Sequence, residues 1–308
     1  MSREEVKVFS PATVSNVGPG FDLMGFALEA PGDEMIVRRN GTSALVLADQ
    51  SGCNLPLDPE KNVAGVAARS LLIALGSNEG FDLVFTRKIN PGSGVGSSAA
   101  SCVAAVVGIN ELLGNPFETE ALVPYAMEGE EIASGSAPAD NIAPALLGGI
   151  TLIRSLDPLD IKHIPYPADL WCAVVHPQLE IKTIESRKLI PQEVPLSTAL
   201  SQAGNLAGLV AGLITEDYPL ISRSVTDVFA EPYRTGQLPE FKEMRSAALD
   251  AGSMGTGLSG SGPSVFSLCR GEEMSASVGS VMQEHFTTHG IGSSLYISKI
   301  SEAGCRLL

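Results

Sequence analysis

Val6-Lys7-Val8-Phe9 alternates apolar and polar side chains with a period near two, the pattern of a half-buried strand. Strand-like runs recur at Glu34-Met35-Ile36-Val37-Arg38, Ala44-Leu45-Val46-Leu47 and Phe81-Asp82-Leu83-Val84-Phe85. Between the last two, residues 62–75 read as a helix. A second helix is predicted from about Ser97 to Leu113, where Gly114-Asn115-Pro116 is a stop signal. A third should cover about Glu118 to Ala133 and stop before Ser134-Gly135. Gly148 to Arg154 reads as a strand, and Asp157-Pro158 opens a proline-rich passage through Pro165 and Pro167. The pattern places a domain boundary there, dividing residues 1–160 from 161–308. Leu170 to His176 then reads as a strand, followed by helices around Thr198 to Thr215, Leu220 to Val228 and Phe241 to Ala251, and by a strand after Pro263. Strands and helices mix without strict βαβ alternation, so the expected class is α+β rather than a doubly wound sheet.

Composition narrows this little: 308 residues with 44% apolar content suit two ordinary domains with substantial cores. Charge says more. A net charge of −15 argues against a nucleic-acid partner or an anionic membrane surface, either of which calls for a basic stripe. An anionic ligand would have to be held locally, by helix termini, a metal and a few arginines. The five cysteines (Cys53, Cys102, Cys172, Cys269, Cys305) have no close pairing and mostly apolar neighbours, and they read as reduced. Met1-Ser2-Arg3-Glu4-Glu5 has no apolar run of the signal-peptide kind, and the greasiest stretch, Leu206 to Ile214, is short and broken by Gly208 and Gly212. No membrane span is expected, and the expected compartment is the cytoplasm.

Candidate chemistry lies in three glycine-rich loops. Residues 92 to 101 read Gly-Ser-Gly-Val-Gly-Ser-Ser-Ala-Ala-Ser. Gly92, Gly94 and Gly96 can take positive φ, and the amides from Ser97 onward open a helix whose first N–H groups lack intrahelical partners, which favours a bound anion. No Gly-Lys-Ser/Thr follows, and Ala99 sits where a dinucleotide fingerprint has its third glycine, so neither common nucleotide motif accounts for the loop. A flexible turn before a buried helix is the other reading. Near the N-terminus stands Ser10-Pro11-Ala12-Thr13-Val14-Ser15-Asn16-Val17-Gly18-Pro19-Gly20-Phe21-Asp22-Leu23-Met24-Gly25, and near the C-terminus Gly255-Thr256-Gly257-Leu258-Ser259-Gly260-Ser261-Gly262-Pro263-Ser264. Each loop adjoins a regular element, and together they read as one site assembled by the fold.

In these three motifs, in their order, and in Asp140-Asn141-Ile142-Ala143-Pro144-Ala145-Leu146-Leu147-Gly148-Gly149, the chain resembles the GHMP small-molecule kinases over nearly its full length, and within them the homoserine kinases. The resemblance implies an N-terminal domain like domain 2 of ribosomal protein S5, a C-terminal ferredoxin-like domain and a site between them. It implies ATP-dependent phosphorylation of the side-chain hydroxyl of L-homoserine, with Mg²⁺, in threonine biosynthesis, and a homodimer. ATP is expected along Pro91, Gly92, Ser93, Gly94, Val95, Gly96, Ser97, Ser98 and Ala99, with Asn62 and Val63 beside the base. Lys88 could reach the nucleotide or be an ordinary exposed strand-end lysine. The loop from Ser259 to Ser264 is expected to close the site, a plain Gly-Pro turn being the alternative.

For the metal, Ser98 is one candidate, unless its hydroxyl is satisfied by its own backbone. Among Glu128, Glu130 and Glu131, helical spacing puts Glu130 on a stripe with Ala126, Met127 and Ala133, suggesting a packed face, and the family pattern counted back from Asp140 gives the same residue. A cluster of three glutamates is otherwise a solvated face. By resemblance Asn16, Asp22, Thr183 and Gly260 surround the acceptor, with Asp140 and Asn141 at its reacting end and Arg187 and Arg234 on its carboxylate. Asp140 would be either a general base or an orienting group. Homoserine kinases commonly carry His-x-Asp-Asn where this chain has Pro138-Ala139-Asp140-Asn141, and none of the four histidines reads as catalytic, the i, i+4 pair His285 and His289 included. A kinase for another small alcohol and a non-catalytic regulator of the same fold are the competing readings.

Overall fold

Two long strands set the frame of the computed structural model, which describes residues 3–135, 138–179, 181, 183–238 and 241–308; the reading of Met1 and Ser2 lies outside them. Strand β1 (Glu5–Ser15) continues the Val6–Phe9 run through Ser10 to Ser15, which the pattern assigned to a loop, and β2 (Met24–Arg39) runs sixteen residues where five were predicted. The reason is a kink. Pro31, Gly32 and the fully buried Asp33 break the alternation of β2, and its register against β1 shifts between Pro11 and Thr13. A Cβ on Gly32 would meet the Phe9 ring at 2.3 Å, so only glycine permits the crossing.

The chain continues through β3 (Leu45–Asp49), α1 (Val63–Ala74), β4 (Phe81–Arg87), α2 (Ser97–Leu112), α3 (Val123–Ser134), α4 (Ile142–Leu147), β5 (Ile150–Leu156) and β6 (Leu159–Ile164). There follow β7 (Leu170–Pro177), α5 (Thr183–Lys188), α6 (Leu196–Thr215), α7 (Tyr218–Ser224), α8 (Glu231–Arg234), α9 (Phe241–Asp250), β8 (Gly255–Leu258), β9 (Val265–Arg270), α10 (Glu272–Thr288), β10 (Ser293–Lys299) and β11 (Arg306–Leu307). One sheet has seven strands: β11-β1-β2-β4-β3 in order, with β5 also on β2 and β6 on β5. The other is the antiparallel β10-β7-β9-β8. The boundary expected at 160/161 falls inside β6, which pairs with β5, and β11 returns to β1, so the C-terminal half does not run unbroken to residue 308. Proline spacing misled here because the prolines at 165 and 167 lie just after β6.

Helices α1 to α4 cover one face of the large sheet, with Val8, Val37, Leu83 and Phe85 meeting Ala68, Val103 and Ile109. A second core joins the sheets: Val14, Met24 and Phe26 pack with Cys172, Val174 and Phe266, the Phe26 and Phe266 rings standing edge to face at 6.3 Å. A third, with Val175, Val265, Met244 and Met282, lies under α9 and α10. All five cysteines are unpaired. Helix α2 is buried almost all round, which explains its run of Ala, Ser and Gly: only small residues let it thread between neighbours, and a Cβ on Gly108 would meet Val37 at 2.4 Å.

Candidate active site

The loop between β4 and α2 is held by its carbonyls. Ser264 donates its hydroxyl to Ser93 O at 2.5 Å, Ser259 to Gly94 O at 2.6 Å, and the Thr13 amide to Val95 O at 3.1 Å. With three successive carbonyls drawn to outside partners and Gly92, Gly94 and Gly96 all at φ between 67° and 79°, the loop curls around its own amides, the geometry of an anion nest. No side chain caps α2 at Gly96, so the positive end of this sixteen-residue helix opens on the same space. A Cβ on Gly96 would meet Thr13 Oγ1 at 2.0 Å, and one on Gly94 would meet Gly262 O at 2.6 Å. The C-terminal glycine loop is thus seated directly on the first.

A cavity of about 470 Å³ runs from this nest to both halves of the chain. Of the segment expected to hold nucleotide, Pro91, Gly92, Gly94, Gly96, Ser97 and Ser98 line it. Ser93, Val95 and Ala99 do not: their side chains are buried behind the loop, Val95 in the core between the sheets and Ala99 against the helices, so any part they take is through backbone. Asn62 and Val63 line the far end. Asn62 caps α1, its Oδ1 accepting from the Ala64 amide at 2.9 Å while its Nδ2 donates to Pro56 O at 2.7 Å. Leu55 and Pro56 extend that wall and carried no signal in the sequence, being loop residues without periodicity.

Lys88 is neither exposed nor free to roam. Its side chain is 4% accessible, its Nζ lies 3.0 Å from Asp33 Oδ2 and it donates to Ser97 O at 2.6 Å. Asp33 in turn accepts from the Ile89 amide and the Ser101 hydroxyl, at 2.8 and 2.7 Å. The buried pair ties the kink of β2 to the first turn of α2 and so fixes the nest, and Lys88 lines the cavity beside it.

On the other flank Ser98 Oγ donates to Glu130 Oε1 at 2.9 Å, not to its own helix. Glu130 is buried while Glu128 and Glu131 are exposed, the division the helical stripe predicted. Burial raises the Glu130 carboxyl to about 7, against the opposing pull of the Ser98 hydroxyl and the Lys88 charge. Helix α3 approaches this closely because Gly129 lies against α1, where a Cβ would stand 2.3 Å from Val63 O.

Asp140 and Asn141 precede α4. Asn141 is a brace: its Oδ1 accepts from Thr13 Oγ1 at 2.7 Å and its Nδ2 donates to Ser15 Oγ at 3.0 Å. Thr13 and Ser15 escaped notice as site residues, yet they alternate with apolar Val14 along β1, which was the available signal. Asp140 is 2% exposed, lines the cavity, and its Oδ1 has no hydrogen-bond partner among the described residues. Burial first, then the negative charges of Asp22 and Glu130, push its pKa up to about 7, with Ser15 and Arg187 opposing.

The acceptor end is strongly charged. Asp22, at φ 57°, holds Arg187 in a two-pronged ion pair, Nη1 to Oδ1 at 3.2 Å and Nη2 to Oδ2. Arg234 is 3% exposed and donates Nη1 to Gly260 O at 3.0 Å, the same carbonyl that accepts from Asn16 Nδ2 at 3.0 Å. Thr183 Oγ1 lies 3.2 Å from Ser261 Oγ at the rim. Asn16, Asp22, Arg187, Arg234, Thr183 and Gly260 therefore meet on one wall, although α5 and α8 carry no local motif that announces it. His285 and His289 stack on each other at 4.7 Å at the end of α10 and do not line the cavity.

The sequence matches the profile of the GHMP kinases N terminal domain over residues 62–149 and that of the GHMP kinases C terminal over 209–288. It is 42% identical to the homoserine kinase of Chlorobaculum tepidum, across 97% of either chain. The chain belongs to the GHMP kinase family. A homoserine kinase of Pyrococcus abyssi is 37% identical over 95% of this chain and 96% of its own. The crystal structure of homoserine kinase from Cytophaga hutchinsonii superimposes with a TM-score of 0.95 at 44% identity, covering 100% of this chain and 98% of that one. The GHMP fold itself extends further: L. major mevalonate kinase, solved in complex with R-mevalonate, superimposes at a TM-score of 0.75 with 18% identity. In this GHMP kinase the cavity between the two sheets therefore sits in a scaffold shared with enzymes of known phosphoryl chemistry.

Proposed function

We propose that the protein transfers the γ-phosphoryl group of ATP to the side-chain hydroxyl of L-homoserine, giving O-phospho-L-homoserine for threonine synthesis in the cytoplasm. The observation that carries the acceptor is the wall of Asp22, Arg187 and Arg234. An α-amino acid brings an ammonium and a carboxylate, and these can enter the Asp22–Arg187 pair so that each protein charge keeps an opposite partner, with Arg234 as the second fork on the carboxylate. Competing alcohols without a carboxylate would leave Arg234 buried with little besides Gly260 O to satisfy it.

The residues at the other end fit a magnesium nucleotide. A buried carboxylate and a hydroxyl 2.9 Å apart, beside an anion nest, offer hard oxygen ligands, and Mg²⁺ in phosphoryl-transfer sites takes one or two protein ligands and completes its shell with phosphate and water. Glu130 and Ser98 would hold it, and when bound it neutralises phosphate charge. The amides of the nest and the start of α2 receive the phosphates, and Lys88 acts on them by fixing the nest. Asp140, its carboxyl near the titration midpoint at neutral pH and one oxygen unpartnered, takes the proton of the acceptor hydroxyl; Asn141 keeps β1 in place beneath it. Pro138 lines the cavity beside Asp140, so no imidazole at that position competes for the proton.

A homodimer belongs to the same proposal. Its support is the outer face of α6, where Leu196, Leu200 and Ile214 are 75%, 65% and 50% exposed, and sedimentation equilibrium tests it. No helix among the described residues is long and apolar enough to cross a membrane. The deciding experiment is ADP release with MgATP and L-homoserine, alongside L-serine, mevalonate and galactose. Turnover confined to homoserine supports the reading, activity with another alcohol alone replaces the acceptor, and ATP binding without turnover leaves a regulator.

A further inference from the structure

Phe21 sits in the turn between Gly20, whose carbonyl accepts from the amides of Leu23 and Met24, and Asp22. It is half-buried and does not line the cavity. Two guanidinium groups lie over its ring: the Cζ of Arg187 is 5.6 Å from the centroid and that of Arg234 5.4 Å. These cations come from different helices, α5 and α8, and repel one another. Arg187 is neutralised by Asp22, but Arg234 is not so served. The acids whose charge reaches it, Asp22, Asp227 and Asp140, give it no hydrogen bond: Asp22 holds Arg187, and Asp227 accepts from Gln202 and the amides of Phe229, Ala230 and Glu231. Arg234 Nε has no hydrogen-bond partner among the described residues. A desolvated guanidinium so thinly bonded gains from the negative face of an aromatic ring, and the ring also fixes the plane in which the N–H edges point.

We propose that Phe21 is a positioning residue for the acceptor: its ring holds Arg187 and Arg234 side by side, edges toward the cavity, as one receptor for a carboxylate. The inference rests on the acceptor reading above. Since Phe21 works through the arginines, its loss should weaken acceptor binding and leave chemistry and nucleotide binding alone.

The test compares Phe21→Leu, which keeps apolar bulk without a π face, with Phe21→Tyr, which keeps the ring. The leucine variant should raise KM for L-homoserine about tenfold, as expected for two partly desolvated cation–π contacts, with kcat and KM for ATP within about twofold of wild type. The tyrosine variant should stay near wild type. Equal KM values for wild type and Phe21→Leu overturn the proposal, as does a tyrosine variant as impaired as the leucine one, or a loss shared with ATP. Wild-type protein answers independently of any variant's folding: with ¹⁵N-labelled arginine, two Nε–Hε signals should be displaced by a ring current, and their absence is also fatal. A wild type that ignores L-homoserine removes the acceptor reading and this inference with it, whereas turnover with an indifferent Phe21→Leu removes the inference alone.

Discussion

Asp140 and Glu130 are carboxyl groups held near half-ionisation at neutral pH by burial, and each needs its charge for the role assigned to it. For Asp140 the ionised form accepts the proton, so kcat/KM for L-homoserine should fall about tenfold per pH unit below about 7. Asp140→Asn should lower kcat by about 10²- to 10⁴-fold and remove that limb. A wild-type profile flat between about pH 5 and 8, read from initial rates, would dismiss Asp140 as the base. Glu130→Gln should raise the Mg²⁺ concentration for half-maximal rate by about tenfold or more while the protein stays folded, as a magnesium titration of ADP release reports. Unaltered metal dependence would take Glu130 out of the site. Glu130 was legible in the sequence because burial follows the 3.6-residue period on α3. Lys88 was named beside the nucleotide, but its buried pairing was not legible, since its partner Asp33 lies at a kink that hid the strand, and Phe21 was not, since a loop aromatic has no period to betray it.

At the scale of elements, the two glycine loops act as one piece. Ser259 and Ser264 each place a hydroxyl on a carbonyl of the nest, and a neutral hydrogen bond of this kind contributes about 1 kcal/mol. Replacing both by alanine should therefore weaken MgATP binding about tenfold or more, measured by calorimetry without acceptor. Undiminished affinity would mean that the nest holds its shape unaided. Helices α1 and α2 were read from sequence to within about one residue at either end, because Asn62 caps the one and Gly114-Asn115-Pro116 stops the other. The strands fared worse. β2 was cut to its second half by Pro31-Gly32, β8 was taken for loop because its residues are Gly-Thr-Gly-Leu, and β6 was lost among prolines. Strand identity there is conferred by pairing rather than by composition: β6 by its hairpin with β5, β8 by β9, and the first half of β2 by β1 and β5.

For the whole molecule, three acids, the buried Asp140 and Glu130 and the half-buried Glu231, have pKa values raised to about 7, chiefly by desolvation. Their neutral forms favour the folded state, so this contribution is complete below the ordinary carboxylate range, near 4, and is lost as pH rises through about 7. His176, lowered by burial, works the other way, as one group against three. The ion-paired Glu34, Asp82 and Asp169 are lowered and matter only in more acid solution. Ligand-free protein should thus melt at a lower temperature at about pH 8 than at about pH 5.5, and MgATP should narrow the gap by binding the ionised Glu130. Calorimetric scans showing Tm rising over that range would contradict the assignment of these shifts.

The last strand has a consequence in time. β11 lies against β1, and the segment leading to it is laced into the first sheet: Ser301 donates its amide to Ala27 O at 2.8 Å and accepts from the Gly149 amide at 2.6 Å, while Gly304 sits where a Cβ would stand 2.2 Å from Leu146 O. A sheet opened by β1 is thus closed by β11, the strand furthest from it along the chain. The nucleotide half therefore cannot be finished once the chain has folded through β6 and then wait for the rest; until β11 docks, the edge of β1, the strand that carries Thr13 and Ser15, stands open.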